Sequence, residues 1–461
     1  MTSQPPVTAQ AGTRRADLWT AGSAVGLIAL AAVTGGLLYL AGRPVHATSA
    51  PFTGAWLPHA GPGTPLAIAV AALVIWRGPQ VAATLRWRAL LTAGYAAAVA
   101  WILSLALIDG WQRGIAGRLT TRHEYLSEVG GVTDVPAMLR GFTARILDFQ
   151  PDSWTTHVSG HPPGAFLVFI ALDRIGLGGG AWAALFCVAA GALIAVAVPV
   201  TIRALGDETA ARAAVPFLVL FPGAVWIGVS ADGLFAGVAA CGLALLAVGV
   251  TRRRPGPAIV AGLLLTFTLY LSYGLTLIAV PVLAVVFLAR PRHRTALIAA
   301  TIAGGTVVTA FTLAGFWWLD GYHLVVQRYY QGIATDRPYG YWVWANLALA
   351  TACAGPAAVV VARRALTRAV PALIRPTGGT SIPAVLAALG PVVVLPGAAL
   401  IAIAAADVSG LSKAEVERIW LPFAVWLTAG AALLPAPSRR GWLIVQATTA
   451  LLLNHLLLTT W

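Results

Sequence analysis

The chain alternates between long apolar runs and short polar breaks, a period far too long for strands. The first run, Leu18 to Ala41, is followed by others at 64–80, 89–108, 180–202, 211–228, 233–251, 257–270, 275–289, 295–318, 342–361, 382–405, 419–434 and 441–458. Most approach the ~20 residues a helix needs to cross ~30 Å of hydrocarbon. The pattern predicts an all-α, polytopic membrane bundle of about 13 spans. The runs at 257–270 and 275–289 are short and meet at Ser272-Tyr273-Gly274, which reads as a hairpin. The first run is too long for a signal-peptide core and lacks a small-residue cleavage site after it, so it is expected to be retained.

Two segments break this rhythm. Asp109 to Ile175 is polar at first and ends in a short apolar helix, Ala165 to Leu172, while Asp320 to Tyr341 is dense in Tyr, His and Arg. The first is longer than a connection requires, and such loops usually carry function. No internal repeat of the inverted-transporter kind is visible.

Composition supports the membrane assignment. Hydrophobic residues make up 59% of 461 and charged residues 10%, with mean hydropathy +0.81. Soluble domains hold about 45–50% apolar and about 25% charged residues, so these few charges cannot solvate a globule of this size. The net charge of +14 would suggest nucleic acid in a soluble protein. Here it fits basic residues collecting in cytoplasmic loops, and no nucleic-acid partner is expected.

Threading the runs with a cytoplasmic N-terminus puts most of the thirty basic residues inside. These include Arg14, Arg15, Arg203, Arg212, Arg363, Arg364 and both ends of the hairpin (Arg252 to Arg254; Arg290, Arg292 and Arg294). Of the sixteen acids only Asp17, Asp207 and Glu208 fall inside, so the chemistry is expected outside. The expectation is a multi-pass plasma-membrane protein with a disordered cytoplasmic tail over 1–16. A single lysine (Lys413) amid Ala/Gly richness suggests a bacterial source. Cys187, Cys241 and Cys353 sit in apolar stretches with no metal or disulfide spacing and read as small core residues.

The first outer loop carries Asp109, Arg113, Arg118, Arg122-His123-Glu124-Tyr125 and Glu128. An acid flanked by arginines can act as general base while the arginines hold an anion; an interfacial Arg/Trp/Tyr anchor is the structural alternative. The loop closes on His157-Val-Ser-Gly-His161-Pro162-Pro163-Gly164. The prolines suit a helix start, and a helix N-terminus favours a bound anion. His157 and His161 could share a metal only if helical, and the prolines count against that.

Ser159-Gly160-His161 invites comparison with lipid phosphatases, which also need a lysine before an Arg-Pro pair; Lys413 lies after Arg337-Pro338. An intramembrane serine protease would want Gly-x-Ser-Gly, and position 157 is His. The second loop offers Asp320, Arg328, Tyr329 and Arg337, suited to sugar stacking and phosphate capture or to an aromatic belt. Glu417 and Arg418 at the outer end of a span are costly unless paired or functional.

The order of elements resembles the GT-C class of membrane glycosyltransferases, which includes protein mannosyltransferases and aminoarabinose transferases. Glu124-Tyr125 resembles its acidic-Tyr element, and His161-Pro162-Pro163-Gly164 its His-Pro-Pro-Leu before a short helix. Phe221-Pro222 through Ser230-Ala231-Asp232-Gly233-Leu234 is similar to its short outer turn, and 261–281 to its Gly/Leu-rich hairpin. The family's hairpin often carries Lys where Ser272-Tyr273 stands, and its acidic pair is Arg122-His123-Glu124 here.

The resemblance spans a catalytic module at 89–290, including the outer loop 109–175. The module follows two additional spans at 17–88 and precedes C-terminal spans at 291–461 with an outer loop at 320–341. It implies inverting transfer of a sugar from a polyprenyl-phosphate donor to a glycan or lipid acceptor at the outer face. Glu124 or Asp109 would be the base. Arg122, His161 and Arg337 would face the donor phosphate, and Tyr125, His157, Arg328, Tyr329, Glu417 and Arg418 the substrates. The resemblance fixes no cofactor and leaves a divalent cation open. The rival readings are a transporter or flippase for lipid-linked saccharides, and a non-catalytic partner in cell-envelope assembly.

Overall fold

The computed structural model describes residues 7–289, 293–375 and 381–459, with side chains in the first helix from Arg14 onward. Arg290 and Arg292 of the expected inner cluster lie outside the described residues. Among the described residues the architecture is helical apart from one antiparallel pair of three-residue strands, β1 (Gly54–Trp56) and β2 (Leu457–Thr459).

Seven helices among the described residues are long and apolar enough to cross a membrane, or eight counting one bent pair as a span. That is well short of the number of apolar runs, and the causes are local. The run at 211–228 yields only Glu208–Val219 before the chain turns at Phe221-Pro222. Twelve residues at 1.5 Å each cover about 18 Å. Leu421–Leu433 is short and mostly 3-10. Arg439–Leu456 has the length but carries Arg439, Arg440, Gln446, Asn454 and His455. The run at 342–361 bends by 108° between Tyr339–Ala354 and Pro356–Ile374. The break is at Gly355, whose φ of +82° precedes a proline and whose missing Cβ leaves room for the Gln446 amide.

Two further expectations change. The first helix begins at Val7, so part of the tail expected to be disordered is helical. The second outer loop is largely a helix, Trp318–Gln331. The stretch expected as the first outer loop carries short helices, from Gln112–Ala116 through Val135–Gly141 to the largely buried Pro163–Arg174.

Ala231–Arg252 is the central helix, and most of its residues are buried. Small residues let it pack closely: a Cβ on Gly237 would lie 2.0 Å from the Ala190 carbonyl oxygen. Such contacts hold helices together where the hydrophobic effect between them is absent. The ion pairs observed join residues that the threading put at the same end. Asp17 binds Arg363 and Arg364, and Glu208 binds Arg203 and Arg212. Acids that the threading put outside likewise pair with arginines or histidines that it put on the same side.

Candidate functional site

Glu124 sits in a turn closed by its own N–H on the Thr121 carbonyl, and its carbonyl accepts from Ser127. A second piece of the same loop lies across it. The His157 N–H donates to the His123 carbonyl, and the Thr155 N–H to Glu128. These bonds bring His157 Nδ1 to 3.0 Å from Glu124 Oε2, with both side chains buried. Nε2 of His157 faces Arg418 Nη2 at 3.4 Å. A guanidinium only donates, so Nε2 accepts and the ring proton sits on Nδ1, the atom 3.0 Å from Glu124 Oε2.

Arg418 lies on the short helix Val416–Ile419. It donates to Asp232 Oδ2 at 2.7 Å and to Glu415 Oε2 at 2.7 Å. Asp232 occupies the first turn of Ala231–Arg252, whose N-cap Ser230 accepts from the Gly233 N–H. Burial pushes the Glu415 carboxyl up, but Arg418 and Arg337 more than offset this and hold it below its ordinary range. Ala414 and Glu415 both have positive φ, at 70° and 61°. Such residues persist when surrounding contacts over-determine them. Here the contacts are Arg337 on the Lys413 carbonyl, Lys413 Nζ on the Arg337 carbonyl, and Asn346 accepting from the Ala414 N–H.

The result is a narrow cleft lined by Glu124, Tyr125, His157, His161, Asp232, Arg418, Arg118 and the 229–231 turn among others. Tyr125 is buried against Phe169, and burial raises its hydroxyl well above its ordinary range. Burial pushes the His161 imidazole down to about 4, so it is neutral at neutral pH. Its Nδ1–H donates to the His157 carbonyl at 2.8 Å, which leaves Nε2 with a lone pair. A second space, lined by Ser272, Trp420 and Phe423, adjoins the first across Asp232 and Phe235. Among the described residues no cluster of three or more His, Cys, Asp or Glu could hold a metal ion.

Of the residues nominated from sequence, Glu124, Tyr125, His157, His161 and Arg418 therefore meet in one cleft. The others stand elsewhere. Arg122 is exposed beside His123. Asp109 lies behind Arg118, bonded to it at 3.2 Å. Arg337 reaches the site only through Glu415. Arg328 pairs with Asp148 at 2.6 Å and tethers Trp318–Gln331 to the first loop. The Tyr329 hydroxyl accepts from the Lys413 N–H. Glu417 is 2% exposed and outside the cleft lining. Burial, with Glu415 nearby, pushes its carboxyl up to about 8.

Sequence reasoning gave Glu415 no role, named Arg118 only among the loop arginines and placed Asp232 only in a turn. Asp232 had a signal, since an acid opening an otherwise apolar span needs a partner.

Comparison with known protein families gives no match, and neither does comparison with curated proteins. Among solved structures, the chain is similar to ArnT from Cupriavidus metallidurans in the apo state. The TM-score is 0.43 at 16% identity, over 75% of this chain and 61% of that one. It is also similar to the Archaeoglobus fulgidus oligosaccharyltransferase tethered with an acceptor peptide. There the TM-score is 0.42 at 12% identity, over 79% of this chain and 54% of that one. This chain thus spans less than two thirds of either protein, and the likeness is a distant one.

Proposed function

We propose that this protein is an inverting membrane glycosyltransferase that moves a sugar from a polyprenyl-phosphate donor to a glycan or lipid acceptor. The outer face of a bacterial plasma membrane is the proposed location, with the N-terminus in the cytoplasm. The observation that carries the reading is the buried Glu124–His157 pair opening into a cleft that also holds Arg118, Arg418 and Asp232. Glu124 takes the proton of the acceptor hydroxyl as its oxygen attacks the anomeric carbon. The bond to the lipid phosphate breaks on the opposite face, and the phosphate leaves with the electron pair. His157 positions the carboxylate through the close contact of its Nδ1. Arg118 and Arg418 offset charge that develops on the leaving phosphate, a preorganised electrostatic contribution. Neutral His161 offers a lone pair to a substrate hydroxyl rather than a charge to the phosphate.

The test uses purified protein in nanodiscs supplied with a panel of polyprenyl-phosphate sugars, with release of polyprenyl phosphate measured. Glu124→Gln is expected to retain its melting temperature and to lose turnover by ~10²–10⁴-fold, the usual contribution of a general base. Wild-type turnover in that variant would sink the mechanism. Loss of turnover at saturating donor in Asp109→Asn alone would move the base to Asp109.

A further inference from the structure

Asp109 makes a cluster of its own beside the cleft. Its side chain is 4% exposed and meets the His59 imidazole, Nε2 at 2.8 Å, and two guanidiniums, Arg118 Nη2 at 3.2 Å and Arg113 Nη2 at 3.6 Å. The other ring nitrogen of His59 lies 2.7 Å from the Leu57 carbonyl, which can only accept, so both ends of the imidazole are tied. The other terminal nitrogen of Arg118 donates to the Thr459 carbonyl at 2.5 Å. Thr459 belongs to β2, which pairs with β1 in the register Gly54↔Thr459 and Trp56↔Leu457. The ladder continues in the Leu57 N–H on the Leu456 carbonyl and the His59 N–H on the His455 carbonyl. Glycine at 61 is required here, because a Cβ would lie 2.0 Å from the Ile108 carbonyl oxygen, one residue before Asp109.

Two segments distant in sequence, 54–61 and 455–459, are thus clipped together and converge on one arginine. Arg118 in turn lines the cleft with Glu124. Burial works against its charge, and Asp109 restores part of it.

We propose that His59 and Asp109 are positioning residues. They lock Arg118 into the cleft wall as a fixed cation for a phosphate group carried on an isoprenoid lipid. The 54–61 segment, outside the module that resembles a known class, thereby takes part in donor binding. A guanidinium held at both terminal nitrogens loses no further side-chain freedom when the anion arrives, and this is what preorganisation contributes. The inference rests on the proposed glycosyltransferase reading.

The test measures binding of decaprenyl phosphate to the full chain in nanodiscs, with decaprenol as the uncharged control. Arg118→Gln is expected to weaken decaprenyl phosphate by ~10-fold, which corresponds to about 1.4 kcal/mol. Asp109→Asn and His59→Phe should each weaken it several-fold, leave decaprenol unchanged and raise the donor KM more than they lower kcat. Asp109→Glu should recover part of the affinity. Added to Arg118→Gln, Asp109→Asn should cost nothing more, because the two act as a unit. Wild-type affinity in Asp109→Asn with only a lower melting temperature would overturn the proposal, as would additive losses in the double variant. If Arg118→Gln binds normally while Glu124→Gln still abolishes transfer, the positioning role fails and the glycosyltransferase reading stands. If the wild-type protein does not distinguish decaprenyl phosphate from decaprenol, the functional reading fails and this inference with it.

Discussion

Replacing Glu417 by glutamine isolates the energetic effect of a buried acid that lies outside the cleft lining. Its carboxyl, pushed up to about 8 by burial and by neighbouring Glu415, would titrate near 4.5 in an unfolded chain. Between those values the folded protein keeps a proton that the unfolded chain releases. Stability contributed by the protonated form is therefore full below pH 4.5, falls as pH rises through the window, and levels off above about 8. Each unit of difference is worth ~1.4 kcal/mol, so near pH 7.5 the acid costs on the order of 4 kcal/mol relative to a neutral group of the same shape. Glutamine has that shape and does not ionise, although its extra donor can itself cost about 1–3 kcal/mol if it finds no acceptor. The informative quantity is thus the pH slope rather than the absolute stability. Thermal unfolding followed by tryptophan fluorescence, from pH 5 to pH 9 in nanodiscs, measures it for both proteins. His161, held near 4, loses stability as pH falls below its ordinary 6.5, and it contributes equally to both curves. The difference between the curves should widen in favour of Glu417→Gln as pH rises and become flat above about 8. Parallel curves across the range would refute the assignment of a protonated, buried Glu417.

Two more perturbations follow from the same geometry. Arg418→Ala strips the shared cation from buried Asp232 and Glu415 and should destabilise by about 3–5 kcal/mol, the usual result of breaking a buried pair from one side. Arg418→Lys should recover only part of this in thermal unfolding, since a point charge cannot reproduce the planar fork. Gly164→Ala would place a Cβ 2.5 Å from the Tyr270 carbonyl oxygen, and it should cost about 1–3 kcal/mol of stability through forced backbone movement. Donor turnover should fall with it, because Pro163–Arg174 carries the Phe169 ring on which Tyr125 rests.

The membrane bundle was legible because lipid enforces it: apolar length and internally satisfied backbones leave helices as the natural spanning form. The number of spans was not legible, because hydropathy does not register where a helix ends. Pro222 and Gly355 stop helices inside apolar runs, and 3-10 geometry takes over at Val425–Leu433. The second loop was misread for the complementary reason. Its charged and aromatic residues hid apolar positions at Trp318, Val325 and Tyr329, which are spaced for a helix lying on a surface.

The site divided along a different line. Glu124, His157 and His161 were found because they share a local stretch whose chemistry can be read from spacing. Arg418 was found because a charge beside the bilayer demands a reason. Asp109 and Arg337 looked equivalent to these in sequence, being ionisable residues on the outer side. The structure separates them by what they touch. Asp109 spends its charge on His59 and Arg118, and Arg337 spends its own on Glu415 and two backbone carbonyls. Within so small a set of charges, each buried ion needs a partner to remain ionised. The outer ions therefore form ranks, in which some face the cleft and others hold those that do. Sequence reveals the membership of the set, whereas the ranks depend on long-range contacts such as Arg118 with Thr459 and Arg418 with Asp232. No local pattern encodes those contacts.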